Sequence, residues 1–141
     1  MIGGTELLLL VSAAGGLGAV ARYLLDRAFV ALFSDWLWQT PQSNTDPRPS
    51  IWPWGVLAIN VLGAFAAGAV LGLPTTWLTI VSIGFLGGLT TFSTVFVDVV
   101  RLFVARHRWR AAVYVAVTLA AITLAAWCGT ALLNLVQSVG S

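Results

Sequence analysis

Three long runs without a charged residue constrain the fold of this chain more than any other feature. They cover residues 54–73, 77–97 and 111–136. Each is long enough to cross the hydrocarbon core of a bilayer, which takes about 20 helical residues. A fourth uncharged run, residues 7–21, is shorter and continues as an amphipathic stretch to about Phe33. The sequence therefore predicts one all-α transmembrane domain with four spans, at about 5–33, 54–73, 77–104 and 111–136.

The composition argues against an ordinary soluble domain. The chain is 59% hydrophobic and 9% charged, whereas soluble proteins carry roughly 25% charged residues. All seven basic residues are arginine, and the net charge of +2 is too small to indicate a nucleic-acid partner. The arginines lie beside the hydrophobic runs, which indicates a role in membrane orientation.

Signatures of catalysis are missing from the sequence. It has one histidine and five acidic residues, with no metal-ligand spacing and no phosphate-binding loop. We therefore predict that the protein is not an enzyme. His107 is predicted to be a solvated loop residue and Cys128 a small core residue. The N-terminal run lacks the positive region of a signal peptide, so a retained first span is predicted.

The three connections between the spans differ in kind. Residues 34–53 contain four of the five prolines and predict an extended interfacial loop, with Trp36, Trp38 and Trp52 as anchors. Pro74 begins a tight turn. Residues 105–110 form an arginine-rich loop. Inside the spans, Gly68 with Gly72 and Gly84 with Gly88 have the spacing of close helix packing.

Asn60 lies in the middle of the second span, where an amide is costly unless it finds hydrogen-bond partners. One interpretation is an interhelical hydrogen bond that holds the helices together. The other is a donor that points into a pore. The sequence leaves both open.

A second polar site covers residues 87–94, two glycines followed by a hydroxyl-rich stretch. Glycine weakens a helix by about 1 kcal/mol relative to alanine, and Ser and Thr side chains compete for backbone hydrogen bonds. We predict that the third helix is interrupted near the bilayer centre, where freed carbonyls hold a cation or freed N–H groups hold an anion. The alternative is a kinked helix stabilised by Ser and Thr side chains.

Three blocks of the sequence resemble one family, the Fluc fluoride channels (the CrcB family). They are Gly15 to Tyr23 (GGLGAVARY), Gly55 to Phe65 (GVLAINVLGAF) and Gly84 to Thr94 (GFLGGLTTFST). Their order and spacing agree with the family over most of the chain. The third block is the most specific of the three.

The resemblance implies a four-helix subunit with an interrupted third helix, paired antiparallel with a second subunit in the cell inner membrane. Such a dimer holds two fluoride pores and a structural sodium ion on its two-fold axis. The backbone carbonyls of Gly87 and Thr90 from each subunit would hold that ion, and carbonyl oxygen suits a hard cation.

The resemblance also assigns a fluoride pathway. Asn60 matches the pore amide, Phe92 the first of two pore phenylalanines, and Val95 stands where the second is expected. Since helical residues turn by about 100° each, one interpretation is that Phe96 presents a ring toward the same general face as Phe92. The other is that Phe96 faces lipid. The predicted pathway residues are Asn60, Phe92, Ser93, Thr94, Phe96, Tyr114 and Thr118.

The function implied is passive, fluoride-selective export from the cytoplasm, which relieves fluoride toxicity. The alternative is a small multidrug-type proton-coupled exporter, which also uses four helices and antiparallel dimers. Proton coupling needs a carboxyl within the first span, and Glu6 and Asp26 do not supply a membrane-centred one. A third interpretation, a scaffold subunit that transports nothing, would not need Asn60 or the hydroxyl cluster.

The arginines predict the orientation of the chain. The N-terminus, the Pro74 turn and the C-terminus share one side, which carries no Arg or Lys. The positive-inside rule places the opposite side in the cytoplasm. Since an antiparallel dimer needs both orientations, the partner is either a second copy or a paralogue of reversed charge bias. The arginines on or near the cytoplasmic side are Arg27, Arg48, Arg101, Arg106, Arg108 and Arg110.

Overall fold

The computed structural model describes residues 3–37 and 53–140, and helices are the regular elements of that part of the chain. The all-α fold class is therefore confirmed. The third span is a composite, in which α3, a π-helix and α4 precede α5. The elements are α1 (Gly4–Leu37), α2 (Trp54–Ala69), α3 (Thr75–Leu78), the π-helix (Thr79–Leu86), α4 (Gly87–Leu89), α5 (Phe92–Val104) and α6 (Arg108–Val139).

Three of these helical segments are long and apolar enough to cross a membrane: Gly4–Phe29, Thr75–Val104 and Arg108–Val139. The fourth, α2, is equally apolar but has 16 residues, which gives a length of about 24 Å. These helices are those of a multi-pass membrane protein. The exact membrane boundaries and the single-domain interpretation stay predictions.

Contacts between glycines and neighbouring helices show how the helices run. Along α1, Ala14 lies against Gly84 and Gly18 lies against Leu89, so α1 and the third span run parallel. Gly68 near the end of α2 lies against Ala126, and Gly72 in the turn after it lies against Leu133, so α2 and α6 run parallel. Because consecutive spans are joined by short turns at residues 70–74 and 105–107, the four spans alternate in direction.

Glycines are required where helix backbones touch. A Cβ atom added to Gly68 would overlap the backbone of Ala126, and one added to Gly129 would overlap the backbone of Phe65. The same holds for Gly88 against the backbone of Gly15. The close packing predicted for Gly68 and Gly88 thus serves contacts within one chain.

The turn between α5 and α6 closes α5 with a Schellman motif. His107 N donates to Leu102 O at 2.9 Å and Arg106 N donates to Phe103 O at 3.1 Å, which is the paired pattern of that motif. Arg106 has φ of 63°, and it is the one non-glycine with positive φ in the described part of the chain. The arginine-rich loop is therefore a tight helical turn.

The single chain has a small core. Ile59, Leu86 and Leu89 form its buried centre, whereas large apolar side chains such as Leu8, Leu62 and Ile83 are exposed. Exposed apolar surface of this extent fits lipid or a second subunit. The prediction that Cys128 is a core residue is wrong: its side chain is exposed, because the adjacent Gly129 takes the contact with α2.

Some predictions lie outside the described residues. The loop tryptophans Trp38 and Trp52 and the loop arginine Arg48 fall in residues 38–52, and the side chain of Trp36 is also not described. Their roles as interfacial anchors and as orienting charge stay predictions.

Candidate ion pathway

The third span leaves helical geometry at two residues. Thr90 has φ −81° and ψ 153°, and Thr91 has φ −146° and ψ 125°, both extended. Helix resumes at Phe92, where Thr91 acts as the N-cap and its Oγ1 accepts a hydrogen bond from Thr94 N. A threonine hydroxyl is a favourable N-cap. Helical geometry is therefore interrupted at Thr90 and Thr91, and a break of the third helix near the bilayer centre stays a prediction.

Asn60 holds this interruption from α2. Its Oδ1 accepts a hydrogen bond from Thr91 N at 2.8 Å, and its Nδ2 donates to Thr91 O at 3.1 Å. One side chain thus satisfies both backbone groups of an extended residue, which would otherwise be costly to bury. The interhelical hydrogen-bonding interpretation of Asn60 is correct. An amide nitrogen carries two hydrogens, so one donor remains beyond the bond to Thr91 O.

These hydrogen bonds free two carbonyl oxygens. In a continuous helix, Thr91 N would donate to Gly87 O and Thr94 N to Thr90 O. Here Thr91 N donates to Asn60 Oδ1 and Thr94 N donates to Thr91 Oγ1. The carbonyls of Gly87 and Thr90 thereby lose their helical donors. Since carbonyl oxygens are ligands that hard cations accept, these two residues fit the sodium ion predicted for them.

Acidic side chains supply no alternative cation site. Within residues 3–37 and 53–140, no group of three or more His, Cys, Asp or Glu side chains is placed to hold a metal ion. A cation bound in this region would depend on carbonyl and hydroxyl oxygens.

An open groove runs along the interruption. It has a volume of about 270 Å³ and is walled by α2, the π-helix, α5 and α6. Apolar side chains such as Ala64, Val95 and Ile122 form much of its surface. The predicted site residues that line it are Asn60, Gly87, Thr90, Phe92 and Thr118.

The two phenylalanines of α5 form an edge-to-face pair. The ring centroids of Phe92 and Phe96 are 4.7 Å apart and the ring planes meet at 62°. Both rings face outward, with 64% and 48% of their residue surfaces exposed, whereas Val95 is 4% exposed. Position 95 therefore points into the chain, and Phe96 is the residue that stands beside Phe92.

Hydroxyl groups cluster at the start of α5. Thr91 Oγ1 lies 3.0 Å from Ser93 Oγ and 3.3 Å from Thr94 Oγ1. Thr94 Oγ1 also accepts a hydrogen bond of 3.4 Å from Arg22 Nη1 on α1. Ser93 is exposed and Thr94 half-buried. The structure therefore joins the predicted hydroxyl pair to a cationic side chain.

Arg22 lies in a second cavity, on the other side of Thr91 from the groove. This cavity has a volume of about 210 Å³ and lies between α1, α2 and α5. Thr91 lines both spaces. Arg22 was not predicted as a site residue, although an arginine within a membrane helix is a recognisable functional signal. The cavity is lined by Arg22, Tyr23, Asp26, Val56, Ile59, Thr91 and Thr94.

The remaining predicted residues lie on the buried face of α6. Tyr114 is fully buried, and Thr118, one turn further along, is 4% exposed. Thr118 lines the groove, and Tyr114 lines neither cavity. Asp98 on α5 is also buried, and its Oδ1 pairs with Arg101 Nη1 at 3.2 Å. No role was predicted for Asp98, whose place at the end of an uncharged run made it resemble a boundary residue.

This arrangement matches a known family. The family model described as CrcB-like protein, Camphor Resistance (CrcB), matches residues 9–130 of the chain. The chain belongs to the CrcB family. The matched region contains all three motif blocks and every predicted site residue of this CrcB chain.

Curated relatives in the family carry one name. A protein of Leifsonia xyli subsp. xyli, Fluoride-specific ion channel FluC 1, is 38% identical over 86% of this chain and 85% of its own length. Fluoride-specific ion channel FluC 2 of Symbiobacterium thermophilum is 39% identical over 84% and 90%, respectively. Fluoride-specific ion channel FluC of Geobacter sulfurreducens is 33% identical over 86% and 92%. These names are names of ion channels, which are not enzymes, so the non-enzymatic prediction is supported.

Proposed function

We propose that this chain forms a passive, fluoride-selective channel that exports fluoride from the cytoplasm. One observation carries the proposal beyond family membership. The interrupted third span, held by Asn60, brings a spare amide donor, hydroxyl groups and the Phe92 ring to one open groove, with Phe96 packed beside Phe92. These groups are chemically suited to a small hard anion.

The proposed fluoride pathway combines strong hydrogen-bond donors with the weaker contacts of aromatic ring edges. Fluoride is a strong hydrogen-bond acceptor, so the second Asn60 Nδ2 hydrogen and the hydroxyls of Ser93, Thr94 and Thr118 replace its water. The edges of the Phe92 and Phe96 rings carry the positive part of the aromatic quadrupole. These ring edges add favourable contacts to fluoride and bind it weakly enough for the ion to leave the site. Tyr114, one turn earlier on α6, interacts with the Thr118 hydroxyl and positions it.

The anion also needs positive potential along its path. Arg22 supplies a full charge beside Thr94, in a cavity with low-dielectric helix walls that strengthen its field. A sodium ion held by the carbonyls of Gly87 and Thr90 would add a second fixed charge beside the groove. The assignment is supported by the loss of the helical N–H donors to the Gly87 and Thr90 carbonyls.

A second subunit completes the proposed channel. The groove is open on one side and Phe92 is largely exposed, which supports closure by another chain. Antiparallel pairing brings the Gly87 and Thr90 carbonyls of two chains to one axis, and so supplies four oxygens to the sodium. The partner is either a second copy or a paralogue with reversed charge bias.

Proton-coupled export is not favoured. Asp26 of α1 shares its cavity with the cationic Arg22. Proton coupling needs a membrane-centred carboxyl in the first span, and neither Glu6, near the start of α1, nor Asp26 supplies one. The passive mechanism requires no such group.

Fluoride efflux from proteoliposomes tests the proposal. Vesicles loaded with fluoride or chloride, and permeable to potassium through valinomycin, are diluted into anion-free buffer. We expect release of fluoride and retention of chloride, at a rate that does not change when a proton gradient is imposed. Protein-free vesicles are the control. Equal release of both anions, or release only with a proton gradient, would reject the proposal.

A further inference from the structure

Hydroxyl side chains along the spans commonly donate to the chain's own backbone. Six serine or threonine side chains donate to a carbonyl three or four residues earlier, at 2.7–2.9 Å. This local bond is the usual way to satisfy a hydroxyl inside a membrane helix. The six residues are Ser12, Thr79, Thr90, Thr123, Thr130 and Ser138.

Ser82 and Thr118 depart from this pattern. Both Ser82 Oγ and Thr118 Oγ1 are buried, and neither donates to the backbone of its own helix. Thr118 interacts with the Tyr114 hydroxyl one turn earlier, whereas Ser82 Oγ has no hydrogen-bond partner in the described part of the chain. A buried hydroxyl without a partner is unfavourable, by roughly 1–3 kcal/mol in proteins. The Ser82 hydroxyl therefore indicates an acceptor that the single chain does not provide.

Both residues line the same groove, from different walls. Ser82 lies on the π-helix and Thr118 on α6, and the groove between them also exposes the amide of Asn60. The π-helix itself is an uncommon element that occurs often at functional sites. It shifts the register of the third span, and the Ser82 hydroxyl makes no bond to the preceding turn.

We propose that Ser82 is a further fluoride-binding residue, which donates its hydroxyl to the ion from the π-helix wall of the groove. This inference rests on the proposed function. An anion in the groove would accept from Ser82 and Thr118 at once, and would give the Ser82 hydroxyl the partner that it lacks.

The test measures initial fluoride efflux over a series of fluoride concentrations for four proteins: the wild type, Ser82→Ala, Ser82→Thr and Ser12→Ala. Ser12→Ala is the matched control, since Ser12 is exposed on α1 and bonds to Leu8 O. We expect Ser82→Ala to lower efflux about tenfold at low fluoride, the factor for losing one hydrogen bond to an ion. The deficit should shrink as fluoride rises, and Ser82→Thr should conduct like the wild type.

Three results are distinguishable. No fluoride efflux from the wild type rejects the proposed function itself. If the wild type conducts and Ser82→Ala matches it at every concentration, the Ser82 assignment is wrong. If Ser82→Ala lowers efflux by the same factor at all concentrations and reduces the fraction of dimer in detergent, the hydroxyl serves assembly, and the assignment is again wrong.

Discussion

Asn60 shows what a single side chain does in this fold. It replaces two backbone partners of Thr91, one donor and one acceptor, and so keeps an extended residue buried between helices. Sequence alone identified the residue and two possible roles. It did not show that the structural role leaves one amide hydrogen for the groove, because that follows from the orientation of Thr91.

Asn60→Ala tests both roles of this residue. Removing the amide leaves Thr91 N and O unpaired, at about 1–3 kcal/mol for each buried group. We expect a lower midpoint of thermal unfolding in detergent and loss of most fluoride efflux. Asn134→Ala, an exposed asparagine on α6, is the matched control and should change neither. Normal efflux from a folded Asn60→Ala variant would remove Asn60 from the pathway.

Phe96 is the second ring of the proposed pathway. We expect Phe96→Ala to lower fluoride efflux about two- to tenfold, since an aromatic edge contact contributes roughly 0.5–1.5 kcal/mol. Phe103→Ala, on the same helix and also exposed, is the control and should conduct normally. Val95→Phe should instead lower the unfolding midpoint, because the added ring overpacks a buried position by about 1–3 kcal/mol. Unchanged efflux for Phe96→Ala would leave Phe92 as the sole ring.

Thr90 separates backbone from side chain in the sodium proposal. Its hydroxyl donates to Leu86 O, and only its carbonyl is assigned to the ion. We therefore expect Thr90→Ala to keep one sodium per dimer after sodium-free purification, measured by atomic emission. The wild type is the reference. A wild-type dimer without sodium would contradict the ion site altogether.

At the scale of helices, the pairing of α2 with α6 depends on two glycines. Uncharged runs predicted the spans, and glycine spacing predicted close packing. Neither identified the partner helix, because Gly129 forms no GxxxG pair with a neighbour in the sequence. The π-helix was also not predicted. Its register depends on how the third span fits against α1, and this is a tertiary effect that local propensity does not encode.

Gly129→Ala probes this helix pairing. The added methyl group would meet the backbone of Phe65, and a backbone on a packed helix cannot turn aside as a side chain can. We expect a loss of stability of about 1–3 kcal/mol, seen as a lower unfolding midpoint by circular dichroism in detergent. Gly16→Ala, whose added methyl meets nothing within 4 Å, should leave the midpoint unchanged or higher. Equal midpoints for both variants would mean that the α2–α6 contact is looser than described.

At the scale of the whole molecule, alternating helix directions place the turn after α5 on the side opposite the C-terminus. This agrees with the sequence, which assigned the arginines to one side. The position of Arg22 beside Thr94, however, joins residues 72 positions apart. This large separation in sequence explains why the cavity around Arg22 was not predicted. Motif reading treats each block alone, whereas the cavity exists only where three helices meet.

Arg106 in the α5–α6 turn, with Arg108 and Arg110 in the first turn of α6, should set the orientation of the chain. We expect the triple variant Arg106→Gln, Arg108→Gln, Arg110→Gln to raise the fraction of chains with a cytoplasmic C-terminus. A C-terminal reporter active only in the cytoplasm measures this fraction. Adding an arginine near the C-terminus, as in Ser138→Arg, should move it the same way. An unchanged fraction in both variants would reject charge as the orienting signal.

The bond between Asn60 and Thr91 also orders events during synthesis. Asn60 precedes Thr91 by 31 residues, so a ribosome delivers α2 to the membrane before the third span emerges. Asn60, which stabilises the interruption, is thus already synthesised when the interruption at Thr90 and Thr91 has to form. We therefore expect the Asn60 amide to be available when the third span enters the membrane, so that the interruption at Thr90 and Thr91 forms without first breaking a continuous helix.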